Sequence, residues 1–231
     1  MALKYVEHRK IPEPIIRWVV SAAQISGTTR VLDVGTGTGH LANSLASVSS
    51  FVTGLDISEH MLSKARATAR DQGVNVSYIL GDANTEITAA RKYDVVTLCQ
   101  ALHWLNPDTI ARSVKNVLCE QGCVLVIASN VTLPLRHPLR ELFSSEQTKC
   151  VTKMIDEISN VFEGRITGTA QFTTTETFLF EERRPIDLNY AQAYHSRHRA
   201  YWRKLSDVID HVPVNELDGD VSWFGVKFSA V

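Results

Sequence analysis

The chain has 231 residues, 44% of them hydrophobic, which is enough for a substantial core and too apolar for global disorder. Lys plus Arg number 24 against 25 for Asp plus Glu, a balance that excludes a whole-protein field for collecting DNA or RNA and makes a small molecule the better expected partner. No apolar run approaches the length of a membrane span.

The first ten residues, Met1–Lys10, are too polar for a secretory signal, so a cytoplasmic protein is expected. Pro12 and Pro14 then lead into an amphipathic helix over Ile15–Ala23, with prolines where a first turn accepts them and Gly27 as its stop. Arg30–Val34 reads as a buried strand. It breaks into glycines at 35, 37 and 39 and resumes with a helical pattern over Gly39–Ser47. Strand, tight turn and helix in this order leave bare backbone and free N–H groups facing one space, where a nucleotide-type cofactor would lie. The spacing is G-x-G-x-G, not the dinucleotide G-x-G-x-x-G, and Asp33 stands two residues ahead of it. A pyrophosphate would meet Asp33 as a like charge, whereas a ligand carrying an ammonium group would meet a partner.

Phe51–Leu55 is a second strand finishing on Asp56, after which Ser58 caps a helix through Met61, Leu62, Ala65 and Ala69 to Gly73. Val74–Leu80 is a third strand ending in Gly81-Asp82-Ala83. Tyr93–Leu98 is a fourth, followed by Cys99–Leu105 and a helix from Asn106-Pro107-Asp108 to Leu118. Gly122–Ala128 is a fifth strand. Continuous apolar strands alternating with helices predict a parallel sheet covered on both faces. From 130 to 172 the composition turns to Pro, Arg, Thr and Ser with a helical stretch near 138–160, expected to cover the sheet edge. Phe178–Arg184 reads as a strand, Tyr190–Leu205 as a helix and Val221–Phe228 as the last strand. Cys99, Cys119, Cys123 and Cys150 form no C-x-x-C pair and no spacing with histidine that suggests zinc, so no metal is expected.

In an open parallel sheet, ligands bind beyond the carboxyl ends of the strands. Here those ends carry Asp33 to Gly39, Asp56, Asp82 and Gln100 to Trp104. Asp56 is placed to accept from both hydroxyls of a ribose, and Asp82 from an adenine amino group. Either acid alone reads equally well as a cap or turn former; their placement after successive strands favours binding.

The run Val31–Gly39, Asp56 within Gly-Leu-Asp-Ile-Ser, Met61-Leu62, Gly81-Asp82-Ala83 and Tyr93-Asp94-Val95-Val96 together resemble the ordered motifs of class I S-adenosylmethionine-dependent methyltransferases, over roughly residues 28 to 130. Gln100-Ala101-Leu102-His103-Trp104 is similar to the small-molecule group that includes trans-aconitate and quinone-biosynthesis methyltransferases. The resemblance implies a single α/β, Rossmann-like domain: a seven-stranded, mostly parallel sheet with an antiparallel final strand and helices on both faces. It further implies a helical lid at 1–27, a cofactor-binding core at 28–129, a lid insertion at 130–172 and strands and a helix completing the sheet at 173–231. S-adenosylmethionine would then be held by Asp33, Gly35, Thr36, Gly37, Gly39, Asp56, Ile57, Met61, Asp82, Ala83 and Gln100. Tyr5-x-x-x-Arg9 resembles a lid signature of this group, with Lys10 where the group often has proline.

The acceptor would meet Tyr5, Trp18, His103, Trp104 and Arg136, and the arginines and aromatic rings of the cover suit an anionic, partly planar metabolite. His103 is either a general base or a wall of the pocket. The turn sequences with which the nucleic-acid methyltransferases grip a flipped base are absent. The basic run His195–Lys204 remains open to a nucleic-acid reading or to that of a solvated helix face. A nicotinamide-dependent oxidoreductase and a non-catalytic cofactor-binding module are the alternative functions, the first disfavoured by Asp33 and by the lack of a Tyr-x-x-x-Lys pair.

Overall fold

The computed structural model describes residues 10–85, 87, 92–132, 151–164, 172–185 and 218–230. In chain order the elements are α1 (Glu13–Ala22), β1 (Arg30–Val34), α2 (His40–Leu45), β2 (Phe51–Asp56), α3 (Glu59–Gln72), β3 (Val76–Leu80), β4 (Tyr93–Cys99), a 3₁₀ turn (Leu102–Trp104), α4 (Pro107–Val117), β5 (Leu118–Thr132), α5 (Val151–Phe162), β6 (Phe172–Pro185) and β7 (Asp218–Ala230). They build a seven-stranded sheet in the order β3-β2-β1-β4-β5-β7-β6. β1 pairs in parallel with β2 and β4, β2 with β3, and β4 with β5, while the antiparallel pairing falls among the last strands. This is the parallel sheet that the strand–helix alternation predicts, in the α/β, Rossmann-like arrangement that the family resemblance implies. Among the described residues no helix is long and apolar enough to cross a membrane.

The chain divides into two compact units where the sequence reading expects one domain. The larger comprises Ile11–Ala128, Thr152–Leu179 and Phe224–Val231; the smaller comprises Met1–Lys10, Ser129–Val151 and Phe180–Trp223. The division falls within β5, β6 and β7, strands of 15, 14 and 13 residues, more than twice the usual length. In the smaller unit Val131, Val221 and Trp223 are buried and the Ser222 hydroxyl donates to Glu181.

In the larger unit the central strands are buried along nearly their whole length, Val31–Val34 of β1 and Val95–Leu98 of β4, as strands covered on both faces must be. β3, at the sheet edge, leaves Ile79 and Leu80 exposed. α3 begins where the Ser58 hydroxyl accepts from the Met61 N–H and ends at Gly73, whose φ of +67° supplies the left-handed stop.

Three features differ from expectation. β5 starts at Leu118 instead of Gly122, because Tyr93 pairs with Leu118 and Val95 with Cys123, and the residues between bulge out of the ladder. Gly122 permits this: a Cβ there would come within 2.5 Å of Leu118 and 3.1 Å of the Asp94 carbonyl oxygen.

The second difference lies in the expected lid insertion, whose described part, α5, packs into the core. Phe162 stacks on Phe228 at 4.8 Å and meets Phe172 edge-on at 5.6 Å, while Glu163 accepts from the Thr174 hydroxyl and N–H. α1 is the third: it buries Ile15, Trp18, Val19 and Ala22 at helical spacing, and Lys227 donates to the Ala22 carbonyl at its C-terminal end. The remainder of the expected cover, with Tyr5, Arg136 and the helix over 190–205, lies outside the described residues.

Candidate active site

Every candidate site residue that is described belongs to the larger unit. The centre is the loop that follows β1. Its glycines at 35, 37 and 39 have φ of +67°, +56° and +76°, all left-handed, and the Gly35 and Thr36 N–H groups both donate to the Leu55 carbonyl. The three glycines serve different ends. A Cβ on Gly35 would come within 2.6 Å of the Ala101 methyl, and one on Gly39 would run into Tyr78 and Ala65. One on Gly37 would meet nothing within 4 Å. Gly37 alone of the three opens onto free space.

Asp33 is expected to face the ligand directly, and here the structure corrects the expectation. Its carboxylate is buried and accepts from the Thr36 and Thr97 hydroxyls, each at 2.7 Å. Burial pushes its pKa up to about 6 against those two bonds. Asp33 therefore ties the loop to β4. Thr97, missed in the sequence, is its register neighbour.

Asp56 is half-buried at the end of β2. One oxygen accepts from the Gly37 N–H at 2.7 Å and the other from the Ser58 N–H at 2.9 Å, which orients the carboxylate and leaves each oxygen further lone-pair capacity. Beside it Ile57 is 72% exposed and Met61 is partly exposed at the first turn of α3. At the end of β3 the Gly81 N–H donates to the Asp56 carbonyl. One Asp82 oxygen accepts from both the backbone and side-chain nitrogens of Asn84; its Oδ2 has no hydrogen bond among the described residues. Ala83 is buried behind it.

At the end of β4, Gln100 adopts φ +54°, unusual for a residue with a side chain, and its N–H donates to Ile127. Ala101 then packs on Gly35, and the 3₁₀ turn presents His103 and Trp104 to solvent with their rings tilted at 5.4 Å; Trp104 is 61% exposed. Trp18 is taken up by packing: it is buried, its ring lies over Gly225 and stacks on Phe178 at 5.4 Å, and its N–H donates to Glu176.

Tyr78 and Asn43 are further residues that sequence reasoning missed. The Tyr78 hydroxyl donates to Asn43, and its ring fills the space that Gly39 and Gly54 leave open. Gly54, a glycine inside a strand, is the signal that marks such a close approach. Two depressions of about 440 and 400 Å3 open at the amino-terminal edge of the sheet, around Arg30 and Lys92 and around Asp94 and Cys119. Neither contains a residue of the loop or of the acids described above, and the chemistry-bearing groups place the site at the opposite edge.

The model of a family described as "Methyltransferase domain" matches residues 25–182, well over half of the chain. The chain belongs to this methyltransferase family. Among relatives, the ubiquinone biosynthesis O-methyltransferase of Glaesserella parasuis is 35% identical over 109 residues, covering 45% of this chain and 46% of its own length. The chain thus spans less than half the length of that relative.

Among solved structures, YcgJ from Bacillus subtilis superposes with a TM-score of 0.64 at 15% identity, over 94% of this methyltransferase chain and 98% of its own. The S-adenosylmethionine-dependent methyltransferase from Thiobacillus denitrificans, solved with S-adenosylhomocysteine, superposes with a TM-score of 0.61 at 17% identity, over 97% of this chain and 94% of its own. At such identities the likeness is one of fold.

Proposed function

We propose that this methyltransferase-family protein moves a methyl group from S-adenosylmethionine to a small-molecule acceptor by direct displacement. The observation that carries the reading is the Asp56 carboxylate, fixed by the Gly37 and Ser58 N–H groups beside the one glycine of the loop that opens onto free space. Two spare acceptor positions on a fixed carboxylate suit the two ribose hydroxyls. Ile57 offers an apolar face for a purine, the open Asp82 oxygen takes its amino group, and Asp33 offsets the positive charge of the methionine part. A pyrophosphate in the same place would meet two carboxylates, which disfavours a nicotinamide dinucleotide.

The cofactor, when bound, supplies an electrophilic methyl on sulfur, so the protein's task is alignment and removal of a proton from the acceptor. His103, exposed on the turn after β4, takes that proton on its imidazole, and Trp104 gives a planar acceptor a face to stack on. The O-methyltransferase names among the relatives support an oxygen acceptor.

Calorimetric titration with S-adenosylhomocysteine and with NAD tests the cofactor. The first should bind and the second should not. Asp56→Ala should lose at least tenfold in affinity, from one or more charge-assisted bonds of about 1.5–3 kcal/mol each. Equal affinity in Asp56→Ala would sink the assignment.

A further inference from the structure

We propose that Asn84 is a positioning residue that couples cofactor binding at Asp82 to the turn carrying His103 and Trp104. The proposal rests on the reading of Asp82 as the adenine-side acceptor. Asn84 makes bonds in two directions. Its backbone N–H and its side-chain Nδ2 donate to the same Asp82 oxygen, at 2.9 and 3.0 Å. Its Oδ1 accepts from the Asn106 N–H at 3.1 Å and from the Thr109 hydroxyl at 3.5 Å. The first pair of bonds fixes the rotation of the Asp82 carboxylate and turns its other oxygen outward. The second pair holds the residue that immediately precedes Pro107 and the start of α4.

In an ordinary helix start, the N–H ahead of the first turn is satisfied by a glutamate or glutamine three residues on. Here the residue at that place is Thr109, whose one hydroxyl proton is shared between Asn84 Oδ1 at 3.5 Å and the Asn106 carbonyl at 3.3 Å. A side chain from the β3–β4 connection has taken over the duty, and the helix start is thereby tied to the loop after β3.

The consequence lies between the two anchors of the turn. At one end Ala101 is pressed against Gly35 of the glycine loop; at the other Asn106 is held by Asn84. His103 and Trp104 sit between, exposed, on a single turn of 3₁₀ helix closed by Trp104 N–H to the Ala101 carbonyl and Leu105 N–H to that of Leu102. A short turn pinned at both ends moves when either anchor moves. Any shift of Asp82 on taking an adenine amino group passes through Asn84 to Asn106, three residues from His103. The coupling is a property of the sequence pair Asp82-x-Asn84, which puts acceptor and donor within one tight turn.

The test is 19F NMR of protein labelled with 5-fluorotryptophan, titrated with S-adenosylhomocysteine, with the Trp104 resonance assigned by Trp104→Phe. In the wild type the Trp104 resonance should shift on binding while that of Trp18, in the core, stays in place. In Asn84→Ala the affinity should fall about fivefold, and at saturation the Trp104 shift should be lost. An unmoved Trp18 resonance shows that the variant is folded. If it is not, Asn84→Asp serves instead: it keeps the acceptor for Asn106, replaces the donor to Asp82 by a like charge, and should uncouple Trp104 in the same way. A Trp104 shift of wild-type size in the saturated variant overturns the proposal, as does wild-type binding that leaves Trp104 unmoved. Failure of the wild type to bind S-adenosylhomocysteine is a different result; it removes the cofactor reading and this inference with it.

Discussion

Asp33 is the residue at which burial and charge oppose each other most directly. Its carboxylate is 1% exposed and bonded by two hydroxyls and the Ala42 N–H, none of which carries a positive charge. The folded protein holds its proton up to about pH 6, whereas an ordinary aspartate releases it near 3.8. Between these values the folded state binds a proton that the unfolded chain has already lost, so stability from this group is highest below about pH 4 and falls to a full penalty above about pH 6. At about 1.36 kcal/mol per unit the penalty is roughly 2–4 kcal/mol. Asp33→Asn keeps the shape and removes the buried charge, with one threonine hydroxyl turning from donor to acceptor, so it should gain stability over the wild type at pH 7 and lose that gain at pH 4, as read by urea unfolding at the two pH values. The same variant should bind S-adenosylmethionine more weakly, since the negative charge behind the loop is gone. A variant less stable than the wild type at pH 7 would show that the ionised carboxylate is compensated by something other than these three donors.

The glycine loop is the element where sequence and structure agree on presence and part over purpose. The strand, the turn and the helix after it are legible because three glycines interrupt an apolar run, and the acids at the carboxyl ends of β1, β2 and β3 are legible because strand ends can be counted. What each glycine does is set by tertiary neighbours, Ala101 from β4's end and Tyr78 from β3, which no local pattern displays. Sequence reasoning treats Gly35 and Gly37 alike; their surroundings separate them. Gly37→Ala should cost only the left-handed strain of about 1–2 kcal/mol, leave a cooperative thermal transition and empty the cofactor site. Gly35→Ala adds a clash with the Ala101 methyl that displaces the turn bearing His103, so it should lower the melting temperature further than Gly37→Ala. Equal melting temperatures for the two variants would mean that Ala101 yields freely. Asp33's bond to Thr97 escaped sequence reading for the same reason as Ala101: register between non-consecutive strands cannot be read from one chain.

At the scale of the whole molecule, the question is which segments hold the sheet together and which serve the acceptor. Frequent Pro, Arg, Thr and Ser over 130–172 suggest a cover, yet the described helix α5 places Ile158, Val161 and Phe162 in the core. The apolar stripe was present in the sequence, but composition over the surrounding loop outweighed it. The same holds for α1, whose Trp18 spends its indole N–H on Glu176 and its ring on Gly225. If α5 is a packing element, Phe162→Ala removes a fully buried ring from contact with Phe172 and Phe228 and should cost about 3–5 kcal/mol in urea unfolding. The Asp33–Asp56–Asp82 edge is held by β1 to β4 and α3, none of which carries that ring. S-adenosylhomocysteine affinity, measured under conditions where the variant is folded, should therefore stay within about twofold of the wild type, the usual result for sites without shared partners. The opposite pattern, unchanged stability with altered acceptor turnover, would return α5 to the role of a lid.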